Sequence, residues 1–424
     1  MKNIIPLIII TLMLSCKQQN SDITNSADYN PYLGDITVRT SSKYFELWNG
    51  KIKPDSLQLL SFGHVAAEYG RYFKETGAID FLIKAERALK KAVEIAHINK
   101  EAYLRALARN YISQHRFREA LNLAKDAAEL GGGLKETQSL LFDVHMELGN
   151  HDLAKDYLDR IADMSDFGYL IRVAKWNDYK GDLDTTINFM EKAIEKAESS
   201  NNSGLRIWSY TNIADYYGHA GRIRDAYEHY LKALALDPNN AYAKKGIAWI
   251  VFSHEQKPSE ALRILDAVTK YYKTPDMFLL KAEIAEFMGD TQKQAQNLDI
   301  FVTAVANKQY GDMYNGHNVA YHLKHTNAES KAIRLAETEI GNRPTPESYH
   351  LLAMAYYETQ QYQKALRIVE EHIMHKTYEP AILLNAAQIY KANHKPKIVK
   401  ALKAELLDAG YELGPSSLAE INSL

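Results

Sequence analysis

The sequence is poor in the residues that carry most readily recognised chemistry. Its 424 residues contain one cysteine, Cys16, so no paired-cysteine metal motif can form and the body of the chain avoids disulfides. Glycine (21) and proline (11) are few and fall mostly at turn positions, which excludes long disordered stretches outside the N-terminus. No glycine-rich phosphate loop and no Gly-x-Ser-x-Gly elbow are present. His254-Glu255 opens like a zinc-protease motif, but Pro258 stands where the second histidine belongs and argues against a continuous helix there. Lysine and arginine (51) nearly balance aspartate and glutamate (53), leaving a net charge of −2. That balance gives no broad attraction to nucleic acid.

What is present is a spacing. In the stretch 207–240, Tyr210, Ile213, Ala214, Tyr217, Gly221, Ala226, Tyr230, Ala233 and Pro238 sit at offsets that encode two antiparallel helices and a stop. The alanines mark close helix crossings, where a larger side chain costs about 1–3 kcal/mol by overpacking. The tyrosines and Ile213 recur at helical spacing and fill the space between helices. Gly221 suits a left-handed helix end, and Asp237-Pro238-Asn239-Asn240 ends the second helix.

The pattern recurs. Leu104, Leu107, Ala108, Tyr111, Phe117, Ala120 and Ala127 repeat it upstream, and Tyr349, Leu352, Ala353, Tyr356, Tyr362, Ala365 and Val369 repeat it downstream. Thr186 stands where alanine is expected, and one extra residue falls near Pro258. The stretch resembles the tetratricopeptide repeat, whose period is about 34 residues. The resemblance covers most of residues 60–395 and implies an all-α chain: a right-handed superhelical α-solenoid of about ten helix pairs, with no catalytic residue of its own. One pair cannot bury its apolar face alone, so neighbours supply the core.

The N-terminus carries a second resemblance. Lys2, the apolar run Ile4–Leu14 and Met13-Leu14-Ser15-Cys16 are similar to a bacterial lipoprotein signal, the run being too short to span a bilayer as a helix. The resemblance implies cleavage before Cys16 and acyl chains on it, at about 0.8 kcal/mol per buried methylene. The expected organisation is therefore a signal peptide (1–15), a polar tether (16–29), a lead-in (30–56), the solenoid (57–409) and a C-terminal tail (410–424). The tether is too polar to order itself, the lead-in is expected on the first repeat, and 199–204 reads as an enlarged turn. Anchoring in the cell envelope is expected, with the outer membrane favoured because Lys17 gives no acidic retention signal.

In such arrays a stripe on the first helix of each unit lines the concave groove. Here it brings Arg105, Arg109, Lys175 and neighbouring Arg172 near the tether, then Trp208, Tyr242, Trp249, Phe252, Tyr314, His317 and Tyr321. Aromatics with basic neighbours suit an extended peptide. The expected function is an anchored, non-catalytic scaffold that binds a protein or peptide in the groove, with the membrane as a second partner, no nucleic acid and no cofactor. Two alternatives remain. One is a glycan-binding outer-membrane lipoprotein, since aromatics also suit sugar rings. The other is a metal enzyme built on His317, His322 and His325, although the outer two lie about 12 Å apart along a helix. His372, His375, Glu370 and Glu371 read as surface or interhelical residues.

Overall fold

Small residues set how closely the helices approach. Ala214, Ala226 and Ala233 are fully buried, as are Ala108, Ala120, Ala353 and Ala365 at the equivalent places of other pairs. Thr186 fills the alanine position in its own pair because its hydroxyl donates to the carbonyls of Asp182 (2.9 Å) and Ala174 (3.2 Å). This satisfies a polar group that burial would otherwise penalise.

A computed structural model describes residues 22–424 apart from 35, 37, 39, 54, 56 and 327. The signal segment and Cys16 lie outside the described residues. Among those described there is no strand. No described helix is long and apolar enough to cross a membrane.

Ten helix pairs follow one another. Units 1–5 are Leu59–Thr76 with Ile79–Ile95, Lys100–Ser113 with Phe117–Leu130, Leu134–Glu147 with His151–Arg160, Phe167–Tyr179 with Leu183–Ser199, and Ser203–His219 with Ile223–Leu236. Units 6–10 are Ala241–Trp249 with Pro258–Thr269, Pro275–Phe287 with Thr291–Val305, Asn315–His325 with Glu329–Asn342, Pro346–Glu358 with Tyr362–Ile368, and Pro380–Ala392 with Pro396–Asp408. Neighbouring first helices touch each other directly, as in units 2, 3 and 4 and in units 8, 9 and 10. They therefore crowd an inner wall, and the second helices form the outside.

The array coils tightly enough to stack on itself. Gly77 in unit 1 lies against Thr274, Gly149 in unit 3 against Thr345, and Gly181 in unit 4 against Tyr378, contacts that span 197, 196 and 197 residues. Six units thus complete one superhelical turn. The amide of Lys273 donates to the carbonyl of Thr76 across this seam at 3.2 Å. Further along, the Arg118 Nε donates to the Gly341 carbonyl at 3.0 Å.

Four expectations meet the structure here. The extra residue near Pro258 is absorbed by a π-turn, Ile250–His254, that closes the first helix of unit 6; a wider turn is how a helix takes in one inserted residue. Pro258 opens the next helix at its first turn, where its missing N–H costs nothing. The stretch 199–204 is a short turn capped by Asn202, whose side chain accepts from the Leu205 amide. Only the later part of the lead-in sits on unit 1: Phe45, on the helix Lys43–Asn49, meets the rings of Tyr69 and Tyr72 at 5.2 and 5.6 Å.

The N-terminal end differs from expectation. The described part of the tether is ordered and docked far along the chain. Ile23 and Thr24 donate their backbone N–H groups to Glu255 Oε1 at 2.9 and 2.7 Å. Tyr29 is 3% exposed and donates its hydroxyl to Glu260 at 2.7 Å. A polar segment need not bury much surface when a carboxylate and a tyrosine slot await it. The tail is helical, Gly410–Ser423, with a break at Gly414.

Candidate functional site

The expected basic stretch of the groove is mostly occupied by its own partners. Arg105 is buried and donates to the Gly132 carbonyl (2.8 Å) and the Thr137 hydroxyl (3.0 Å), tying unit 2 to unit 3. Arg172 bonds the carbonyls of Ser139 and Gly168 and pairs with Asp143 at 2.6 Å. Lys175 pairs with Glu147 at 2.7 Å. Arg109 alone of the four is exposed with no hydrogen bond or ion pair from its guanidinium to a described residue. Burial by the inner wall, with Arg172 and Arg105 nearby, pushes its guanidinium below the usual range.

The aromatic stretch divides. Trp208 is 40% exposed and meets Phe167 edge-on. Tyr242 is exposed, and its hydroxyl donates to Asp215, which also accepts from Tyr230. Phe252 is fully buried, which corrects its assignment to the groove: the π-turn rotates every residue after Trp249 away from the first-helix register. Trp249 is covered from within, since its Nε1 donates to the Tyr411 carbonyl at 3.2 Å beside Ser253 Oγ at 2.6 Å. Tyr411 itself lies against Gly218 of unit 5. The C-terminal helix therefore fills the part of the wall that the sequence marks as most aromatic.

Tyr314 donates to Asp276 at 3.4 Å, and His317 is exposed beside it, ring centroids 5.6 Å apart. Tyr321 meets Phe301 and His325. His322 bonds Thr326 at 3.2 Å. Among the described residues, no group of three His, Cys, Asp or Glu side chains is placed to hold a metal ion. Glu255 of the failed zinc motif is used by the N-terminal segment.

Sequence reasoning missed an acidic cleft. Where units 9 and 10 stack on units 3 to 5, the seam opens into a cavity of about 560 Å³. At one end Glu147 is shared by Lys175 and Arg343, the latter at 3.6 Å. At the other, three carboxylates converge from distant parts of the chain: Asp178, Glu379 and Glu412. No described lysine or arginine pairs with any of the three. Burial pushes Glu379 up to about 6, with Glu412 and Asp178 adding to the rise. Burial likewise raises Asp178, against the pull of His219, Lys175 and a Tyr216 hydrogen bond, and raises Glu412, against the pull of His219, whose Nδ1 is 3.9 Å from Glu412. Lone glutamates give no signal of this in sequence, because the superhelical pitch alone brings them together.

Residues 209–240 match the tetratricopeptide-repeat family model. That stretch is a tetratricopeptide repeat, and it sits within ten helix pairs that form a tetratricopeptide-like α-solenoid. No curated protein matches its sequence. A tetratricopeptide repeat protein from Parabacteroides merdae aligns over 57% of this chain and 94% of its own, at 16% identity and TM-score 0.40. PilW, described as a widely conserved type IV pilus biogenesis factor, aligns over 50% of this chain and 97% of its own, at 14% identity and TM-score 0.39. Both likenesses are partial.

Proposed function

We propose that this protein is a non-catalytic scaffold of the bacterial envelope, held by lipid at Cys16, that binds a protein partner through a basic segment of that partner. The observation that carries the partner's chemistry is the convergence of Asp178, Glu379 and Glu412 on an open cleft whose lining cations are directed elsewhere, Lys175 and Arg343 to Glu147 and Lys376 to the Glu371 carbonyl. Carboxylates held close in a half-buried seam repel each other, and an incoming lysine or arginine relieves that repulsion. The repeat architecture supports the scaffold part, since repeat arrays of this kind present extended surfaces to other chains. The lipobox-like Ser15-Cys16 supports the anchor.

The test is recovery of the anchored chain after crosslinking in cells, with wild type beside a Glu379→Lys, Glu412→Lys double variant. A partner recovered by wild type and lost from the variant is expected. Equal recovery, or none above background, rejects the cleft as the binding site.

A further inference from the structure

The N-terminal segment docks on the outside of the solenoid, not at its first unit. Residues 22–33 lie along units 5 and 6. Tyr227 of unit 5 exchanges hydrogen bonds with the Asn25 backbone, its hydroxyl accepting at 3.2 Å and donating at 3.1 Å, and also reaches Asp28 at 3.1 Å. Lys257 pairs with Asp22 at 2.7 Å, and Arg263 donates to Asn30 at 2.6 Å. Tyr29 joins the buried cluster formed by units 4 to 7. This is a built seat, with a carboxylate, a tyrosine hydroxyl and an apolar slot each matched to one feature of the segment.

Only five residues, or six Cα–Cα steps, separate Cys16 from Asp22. Fully extended, six steps span at most about 20–22 Å. A free tether running from Cys16 to Leu59 would have 42 intervening residues and a coil-like reach on the order of 40 Å, attached at one end of the array. We infer that the outer flank of units 5 and 6, around the start of the helix Pro258–Thr269, is the face that lies against the lipid headgroups, and that units 2 and 3, about half a superhelical turn away, face away from the membrane. This rests on the lipid anchor proposed above. It also bears on how the acidic cleft is presented: its walls come from units 3 to 5 and 9 to 10, which centres it about a quarter of a superhelical turn from the anchored flank, beside the membrane surface.

The test uses the full-length, acylated chain reconstituted into phosphatidylethanolamine–phosphatidylglycerol vesicles that carry a nitroxide on a fraction of headgroups. Cys16 is the only native cysteine, so a fluorophore goes to an introduced thiol, Ser259→Cys on the proposed face or Asp156→Cys on unit 3. Both positions are exposed. Quenching several-fold stronger at 259 than at 156 is expected, with the difference erased when Tyr29→Ala and Glu255→Ala release the segment. Equal quenching at both sites in the unreleased chain overturns the orientation. The mass of the N-terminal peptide is read first: an unacylated Cys16 overturns the anchor and the orientation together, whereas an acylated Cys16 with equal quenching overturns the orientation alone.

Discussion

Glu255 and Thr24 are 231 residues apart in sequence, yet the carboxylate of one accepts the backbone N–H of the other at 2.7 Å. The side chain of Glu255 is fully buried, held by this bond, the Ile23 amide at 2.9 Å and Lys257 at 3.1 Å. Its geometry toward Lys257 is poor enough that Oε2 lacks a proper hydrogen bond, so the two amides are the main counterweight to its burial. Hydrogen bonds to a charged group contribute about 1.5–3 kcal/mol. Glu255→Ala should therefore release the segment while the solenoid stays folded. Hydrogen exchange at Ile23 and Thr24 should accelerate by at least tenfold, with exchange in unit 10 unchanged. Retained protection at both amides would contradict this.

The stacking of turns can be separated from ordinary helix-end strain with two glycines. Gly181 has φ +74° and faces the Tyr378 ring, where an added Cβ would lie 2.6 Å from Cγ; Gly221 has φ +71° with nothing near. Gly221→Ala should cost only the left-handed backbone, about 1–2 kcal/mol. Gly181→Ala should cost that plus about 1–3 kcal/mol of overpacking at the seam. Denaturant midpoints measured side by side check the difference, and equal losses would mean the turns do not press together in solution.

The cleft makes a prediction about pH. Glu379 is raised to about 6 from an ordinary 4.5, so the folded state holds its proton more tightly than the unfolded chain does. Below about 4.5 both states are protonated and the group costs nothing; as pH rises through 6 the folded state pays for an unwanted charge. Glu379→Gln should thus stabilise at pH 8 and be neutral at pH 4. The gain should be under about 1 kcal/mol, because the carboxylate still reaches water. Thermal midpoints at the two pH values check the sign.

Lys244 is 1% exposed, and its ammonium has one described hydrogen bond, to the Tyr271 hydroxyl at 3.3 Å. Burial pulls it down to about 8. At pH 7 the charge is therefore carried at a cost, and Lys244→Met should raise stability by about 1–3 kcal/mol. Tyr271 keeps its bond to the Asn239 carbonyl at 2.9 Å, so nothing is orphaned. Chemical denaturation at pH 7 measures it, and a destabilised variant would show that Lys244 has further partners.

Much of the fold was legible because it is local. The alanine positions, the helix stops and the ten pairs depend on residues within one period, and the extra residue before Pro258 was visible as a break in register. The groove was legible only as a stripe. Which residues on it were free depended on contacts across units: Arg105 on Gly132, Arg172 on Asp143, Trp249 under Tyr411. The cleft and the docked N-terminus were not legible at all. Both depend on superhelical pitch, a small rotation per unit summed over six units, and no residue spacing writes that sum down. Composition also misled at the N-terminus, where Lys17–Tyr29 is too polar to fold by itself but its described part, from Asp22 onward, finds a seat made by Tyr227, Glu255 and Glu260.

The most direct measurement is a photocrosslinking map in cells. Benzoylphenylalanine replaces Tyr378, which is 53% exposed at the lip of the cleft, and in a second strain Asp156 on the outer face of unit 3. One discrete adduct is expected from position 378, none from 156, and loss of the adduct when Glu379→Lys is added. An adduct that forms equally from both positions, or that survives the charge reversal, would contradict it.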